Sequence, residues 1–128
     1  MLLMSSGGTS PEQFILMHDT VLDYLLFTHR GARCAVLAEE IAAVYERLGE
    51  HSEIEIWTDS GAQDGGHRYL QPVGVEEVVC SSDVRTVRCP ELSFAQLPRL
   101  VRDALPGCVI GMVDIDGEAH WVLRLAKP

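Results

Sequence analysis

The sequence predicts an α+β protein, in which a mostly antiparallel sheet ends in a C-terminal β-hairpin and carries two N-terminal helices and one later helix. Three observations support this fold class. Ser10-Pro11-Glu12-Gln13 combines an N-cap residue, a proline at the first helical position and a glutamine at the third, which is typical of a helix start. Glu53 to Thr58 alternates polar and apolar residues, as half-buried strands do. Asp116-Gly117 is the strongest short-range signal for a hairpin.

The three predicted helices follow from apolar residues that recur at helical spacing. The first starts at Ser10 and runs to about His29, where Arg30-Gly31 breaks it. Its apolar residues spread beyond one stripe, so we expect a central helix that is buried on more than one face. The second spans Cys34 to Leu48 and ends at Gly49. The third covers residues 93–105 and stops at Pro106-Gly107.

The remaining elements are short strands and one loop. Strands are predicted at His67 to Leu70, Val75 to Cys80 and Val84 to Cys89, and the last alternates most clearly. Asp59 to Gly66 is polar and rich in glycine, so we expect a mobile loop there.

The hairpin between Cys108 and Leu125 can be predicted residue by residue. With Asp116-Gly117 as a two-residue turn, the predicted cross-strand pairs are Ile115 with Glu118, Val113 with His120, Met112 with Trp121, and Ile110 with Leu123. We expect the face that carries Met112 and Trp121 to be core. The other face carries Gly111 and His120, and the missing side chain at Gly111 leaves room for a cleft.

Length and charge limit the classes of function. The 128 residues and 47% hydrophobic content suit a single domain, which we place at residues 10–128, behind a flexible N-terminus at residues 1–9. The formal net charge of -9 disfavours nucleic acid and anionic membranes as partners. The sequence has neither a signal peptide nor an apolar run of membrane-spanning length, so we expect a cytoplasmic protein.

The cysteines and histidines follow no metal-binding pattern. Cys34, Cys80, Cys89 and Cys108 form no CxxC pair, and the histidines form no HxH or HExxH motif. We therefore predict free thiols, no metal and no cofactor.

Cys34 is open to two interpretations. At the start of the second predicted helix, near Arg30 and Arg33, its thiolate would be stabilised by the helix dipole and two cations. His120 on a late strand would then be its general base. Alternatively, Cys34 belongs to the apolar stripe of its helix, since cysteine is among the most buried residue types. His120, next to Trp121, is likewise either a base or a packed or interface residue.

RCAVLAEEIAAVYERLG around Cys34, and EAHWVLRL after VIGMVDIDG, resemble the two catalytic segments of papain-like cysteine peptidases, particularly those that process bacteriocin leaders. The resemblance implies a small cysteine hydrolase or acyl transferase in which Cys34 is the nucleophile and His120 the base. The chain ends too soon after His120 for the family's orienting aspartate, so Glu118 or a backbone carbonyl would orient the base instead. The glutamine that usually precedes the cysteine is missing, which is typical of a diverged or inactive member. The Arg-Gly before Cys34 is also similar, more loosely, to transglutaminase-like folds and arylamine acetyltransferases, which would add His67 and Asp83 to the set.

A small acidic protein-interaction module is the competing interpretation. Secretion chaperones of the Tir-chaperone type are similarly small and acidic, with helices and strands in a comparable order, although element order alone is an associational argument. Such a chain would act as a chaperone, an immunity protein or a complex subunit. Its partner would be a protein, a peptide or, in a homodimer, a second copy of the chain. The two interpretations differ at Cys34, because an enzyme needs this thiol accessible and within reach of a histidine.

Overall fold

The structure is a computed structural model that describes residues 21–57, 67–90 and 93–127. These ranges contain eight strands, a five-residue helix and one 3-10 turn. The strands are β1 Val21–His29, β2 Ala32–Leu37, β3 Ile41–Tyr45, β4 Arg68–Pro72, β5 Val79–Pro90, β6 Phe94–Gln96, β7 Val109–Ile115 and β8 Glu118–Leu123; the helix is α1 Arg99–Asp103, and the turn is Ala38–Glu40.

All eight strands join one sheet in the order β3-β4-β5-β1-β2-β8-β7-β6. Neighbouring strands are antiparallel except β2 and β8, which run parallel, with Cys34 opposite Trp121. This parallel pair connects the N-terminal half of the chain to the C-terminal hairpin. β1 and β2 therefore occupy the middle of the sheet.

The predicted α+β class is wrong, because the described residues are mostly β-strand. The first predicted helix fails over residues 21–29, which form β1, and its part before Val21 lies outside the described residues. In β1 the four consecutive residues from Tyr24 to Phe27 are all buried. A strand that is buried on both faces shows a continuous apolar run instead of alternation, and such a run can match helical spacing by chance.

The second and third predicted helices are also wrong. Cys34 to Leu48 forms the end of β2, the 3-10 turn, β3 and irregular chain instead of a helix. Within the third predicted helix, residues 93–105, Phe94–Gln96 is a strand and only Arg99–Asp103 is helical. The alternating segment from Glu53 makes a single bridge, between Glu53 and Val78.

Two expectations fall on residues that the structure does not describe. They are the flexible N-terminus at residues 1–9 and the mobile loop at Asp59 to Gly66, and both stay predictions. In the described parts of the chain, no helix is long and apolar enough to cross a membrane.

The two faces of the central strands pack into two separate cores. The first core consists of Leu25, Phe27, Cys34, Val36, Leu70, Val79, Val109, Leu123 and Leu125. The second core consists of Tyr24, Leu26, Ala35, Cys89, Val113, Ile115 and Val122. Successive residues of β1 and β2 alternate between the two cores because side chains along a strand point to opposite faces.

Segments from outside the central strands cover the first core. Ile54, Ile56 and Trp57 pack against it from one segment. The C-terminal chain is fastened there by Glu40, whose Oε1 accepts hydrogen bonds from the backbone N–H groups of Leu125 and Ala126 at 2.8 and 3.1 Å. The covering segments explain why many residues of this core are completely buried.

His29, at the end of β1, holds the covering segment to the sheet. Its Nδ1 lies 2.7 Å from the carbonyl oxygen of Cys80, and its Nε2 accepts the backbone N–H of Ile56 at 3.2 Å. A carbonyl oxygen only accepts, so Nδ1 carries the hydrogen and the ring is neutral. Burial, the largest cause, lowers the pKa of His29 below its ordinary value.

The hairpin register is largely confirmed. Met112 pairs with Trp121, Val113 with His120, and Ile115 with Glu118. The pairing predicted for Leu123 is wrong by one residue, since a bulge between Val109 and Gly111 places Val109 opposite it. The expectation of a single core face is also wrong, because the strands of the hairpin contribute to both cores.

Candidate functional site

Cys34 lies in the middle of the sheet and not at the start of a helix. It belongs to β2, and its side chain in the first core is 0% exposed. Burial, followed by the neighbouring Cys108, raises the pKa of its thiol to about 12. The helix dipole that was expected to stabilise its thiolate is therefore missing, and the environment favours the protonated thiol.

The sheet separates Cys34 from His120. Because Cys34 pairs with Trp121 and both pack in the first core, His120, the residue before Trp121, points to the opposite face. His120 instead pairs with Val113 of the second core. The Cys34 thiol lies 3.5 Å from the carbonyl oxygen of Ala32, and it makes no hydrogen bond to an imidazole of the described residues. The structure does not bring the predicted nucleophile and base together.

His120 and Glu118 do lie together, in a cavity of about 430 Å³ that we call the His120 cavity. His120 is only 3% exposed, and its Nδ1 lies 3.1 Å from the backbone carbonyl oxygen of Glu118. The backbone of Glu118, and not its carboxylate, thus orients the ring. The cavity is lined by Leu26, Phe27, Thr28, Arg33, Asp83, Val84, Arg85, Glu118 and His120.

Asp83 also reaches this cavity, whereas His67 does not line it. Asp83 has a φ of 53° and follows Ser82, where the pairing of β1 and β5 shifts register. Bulges of this kind re-aim side chains and are common beside functional sites. His67 directly precedes β4 and makes neither a hydrogen bond nor an ion pair with Asp83. The set of Cys34, His67 and Asp83 is not assembled.

An apolar groove of about 150 Å³ opens on the second core. Its apolar lining is Leu22, Tyr24, Leu37, Phe94, Ile110, Val122 and Leu123, with Glu40 and Arg124 at its sides. Four of the apolar residues, Leu22, Leu37, Phe94 and Ile110, are only partly buried. Sequence reasoning missed this groove, since its residues come from five separate segments of the chain.

The cleft predicted beside Gly111 is filled. A Cβ atom at Gly111 would lie 2.5 Å from the ring of Phe94 and 2.6 Å from the carbonyl oxygen of Ala95. β6 therefore packs closely over the space that glycine leaves, and Phe94 becomes one wall of the apolar groove. Sequence reasoning also missed Arg33 and Arg85 as residues that line the His120 cavity. Arg33 was considered only for its charge near Cys34, and nothing in the sequence marks Arg85 as a site residue.

No protein-family model and no curated protein matches the sequence. Among solved structures, the chain is similar to the scaffolding protein TtCheW from Thermoanaerobacter tengcongensis, with a TM-score of 0.64 and 10% sequence identity. The match covers 84% of this chain and 91% of that chain. At this identity the likeness is one of fold.

This likeness and the strand position of Cys34 overturn the papain-like and transglutaminase-like resemblance. In those enzymes the cysteine opens a helix, whereas β2 carries it here. The catalytic assignment of Cys34, His120 and Glu118 stays a prediction, to which the geometry lends no support. In the described part of the chain, no group of three or more His, Cys, Asp or Glu is arranged to hold a metal ion.

Proposed function

We propose that this chain is a protein-interaction module that acts as a scaffold, with the apolar groove on the second core as its docking surface. The observation that carries the proposal is the groove itself. Its partly buried apolar side chains, Leu22, Leu37, Phe94 and Ile110, surround a concave site that is mostly apolar. The residues that dominate the binding energy of a protein interface typically lie in well-packed, desolvated pockets. A concave apolar groove can provide such a pocket for a side chain of the partner.

The shared fold supports the proposal without carrying it. The similar structure is described as that of a scaffolding protein, and fold alone does not determine function. The groove adds the feature that a binding module needs, which is apolar surface that becomes buried on association.

The partner that fits this surface is a protein or peptide that inserts an apolar side chain. Glu40 and Arg124 at the sides of the groove offer one charge of each sign for contacts at the rim. A cytoplasmic location and a homodimer stay predictions, and a second copy of the chain is one outcome of the test below.

Paired variants test the proposal. Ile110→Gln places a polar group in the groove, whereas Val44→Gln makes a comparable change on β3, the strand at the far edge, where Val44 is 47% exposed. Partners captured by the wild-type chain are identified and purified. Each is then titrated against the wild-type chain and against each of the two variants. We expect Val44→Gln to bind like the wild type and Ile110→Gln to bind about tenfold or more weakly, as hot-spot changes do.

The proposal would be contradicted if both variants lost the same affinity for the partner, or if no purified partner bound the wild-type chain. Sedimentation of the chain alone is measured in parallel. If a dimer forms and Ile110→Gln dissociates it, the occupant of the groove is a second copy of the chain.

A further inference from the structure

The helix α1, Arg99–Asp103, is exposed over its whole length. None of its five residues is buried, and its N-cap residue, Pro98, makes no side-chain cap hydrogen bond. A helix this short is marginal by itself, because most helical stability in proteins comes from packing an apolar face. The helix α1 therefore lacks, in the described part of the chain, the packing that usually stabilises such a short element.

Two apolar side chains, Leu100 and Val101, form an exposed patch on this helix that we call the α1 surface. Leu100 is 86% exposed and Val101 is 44% exposed. Among the other large apolar side chains in the described ranges, none is more than 50% exposed. A single exposed leucine is ordinary, but here two apolar neighbours project from a helix with no buried residue. A second molecule that covered the α1 surface would bury both and stabilise the helix.

The apolar groove on the second core has the size and lining to receive Leu100. Its volume is about 150 Å³, and an apolar cavity of about this volume can hold a benzene molecule. The groove therefore has room for a leucine side chain. Phe94 and Ile110 in its lining are only partly buried, so an inserted leucine would remove apolar surface from water on both molecules.

The charges beside the two surfaces are complementary. Leu100 lies between Arg99 and Asp103, whose ion pair is 3.9 Å long with side chains that are 85% and 67% exposed. Such a pair contributes little to stability, so its two charges can exchange partners at low cost. Glu40 and Arg124 lie at the sides of the groove, and neither forms an ion pair with another described residue. Each surface thus offers one cation and one anion.

We propose that the apolar groove binds the α1 surface of a second copy of this chain. Leu100 of one copy enters the groove of the other, Arg99 lies near Glu40, and Asp103 lies near Arg124. This inference rests on the proposed function, since it uses the same groove, and it names one occupant for it.

The contact joins two different surfaces of the chain. Leu97 and Leu105, which flank α1 in the sequence, pack against the first core, whereas the groove opens on the second core. A contact between unlike surfaces is heterologous, so a pair of copies still has one free α1 surface and one free groove. We therefore expect association to continue beyond two copies as the concentration rises.

Sedimentation of the full chain at increasing concentration tests the contact. Salt at about 0.15 M screens the repulsion between copies of formal charge -9. The average mass of the wild-type chain should rise with concentration, and Leu100→Gln should weaken association about tenfold or more. Because Leu100 is so exposed, this change should leave the fold intact. The matched control is Val44→Gln on β3, where Val44 is 47% exposed, and it should associate like the wild type.

Mixing two variants identifies the two surfaces that meet. Leu100→Gln keeps an intact groove, and Ile110→Gln keeps an intact α1 surface, so each should associate weakly alone. An equal mixture should form a one-to-one complex, because Leu100 of the Ile110→Gln chain can enter the groove of the Leu100→Gln chain. If Ile110→Gln does not fold, Arg124→Glu replaces it. Arg124 is exposed, and the new carboxylate would repel Asp103 of the other copy and weaken association about threefold.

Three results would overturn this contact. They are a wild-type chain that stays monomeric up to roughly 1 mM, equal weakening by Val44→Gln, and no complex in the mixture of variants. A captured partner is also titrated against Leu100→Gln, which leaves the groove free. If the partner binds there while the wild-type chain stays monomeric, the contact between copies fails and the proposed function stands. If copies associate in the expected way but no other protein binds, the contact stands and the scaffold function fails.

Discussion

The two cores of the sheet contain similar residues but differ in what lies over them. The first core is covered by the segment with Ile54 and Ile56 and by the C-terminal chain. Over the second core, the side chains of Leu22, Phe94 and Ile110 are only partly buried and border an open groove. One face of the sheet is therefore covered by further chain, while the other keeps the apolar groove that we propose as a docking surface.

The largest expected effect compares one phenylalanine from each core. Phe27→Ala should lower the free energy of unfolding by about 3 to 5 kcal/mol, because Phe27 is 2% exposed and its removal leaves a cavity. Phe94→Ala removes the same atoms from a partly buried site and should cost roughly half as much or less. Denaturant unfolding measures both, and equal losses would show that the second core is covered as well.

Glycine substitutions examine how β6 is held over the second core. Gly111→Ala places a Cβ within 2.6 Å of the backbone oxygen of Ala95, so β6 must move, at a cost of about 1 to 3 kcal/mol. Gly107→Ala is the control, because a Cβ at Gly107 meets no atom within 4 Å. If the two variants unfold at the same denaturant concentration, the close packing of β6 is wrong.

The pH dependence of stability probes the covering of the first core. Burial lowers the pKa of His29 from 6.5, so the unfolded chain binds a proton there more readily than the folded chain. The contribution of His29 to stability is complete above about pH 6.5 and is lost as the pH falls toward the folded value, by up to about 1.4 kcal/mol per pH unit. His29→Gln should reduce this slope, and an unchanged slope would contradict the neutral, hydrogen-bonded ring.

Sequence reasoning succeeded where the determinants are local. Asp116 and Gly117 have φ angles of 54° and 82°, the left-handed values that a two-residue hairpin turn requires, and such a turn fixes the register beside it. The error at Ile110 arose from a bulge, which the sequence does not mark. Strands with one buried face show alternation, but β1 and β2 are buried on both, so their apolar residues carried no strand period.

The geometry lends no support to the catalytic assignment for a related reason. The proposed pairing of Cys34 with His120 required a helix at Cys34, and helix-forming alanines and glutamates follow this cysteine. Once residue 34 belongs to a strand beside Trp121, the sheet itself separates the two side chains. The cavity that His120 does line depends on Arg33, Asp83 and Arg85, which only the pairing of distant strands brings together.

The smallest expected effect is the reactivity of Cys34 in the folded protein. With the pKa of its thiol raised to about 12, only about one thiol in ten thousand is ionised at pH 8, and the side chain is 0% exposed. Iodoacetamide should leave Cys34 unmodified under native conditions, as mass spectrometry of the digested protein would show. All four cysteines, which are free, should react in denaturant. Rapid alkylation of folded Cys34 near neutral pH would show that the first core opens readily, and it would return the thiol to consideration as a nucleophile.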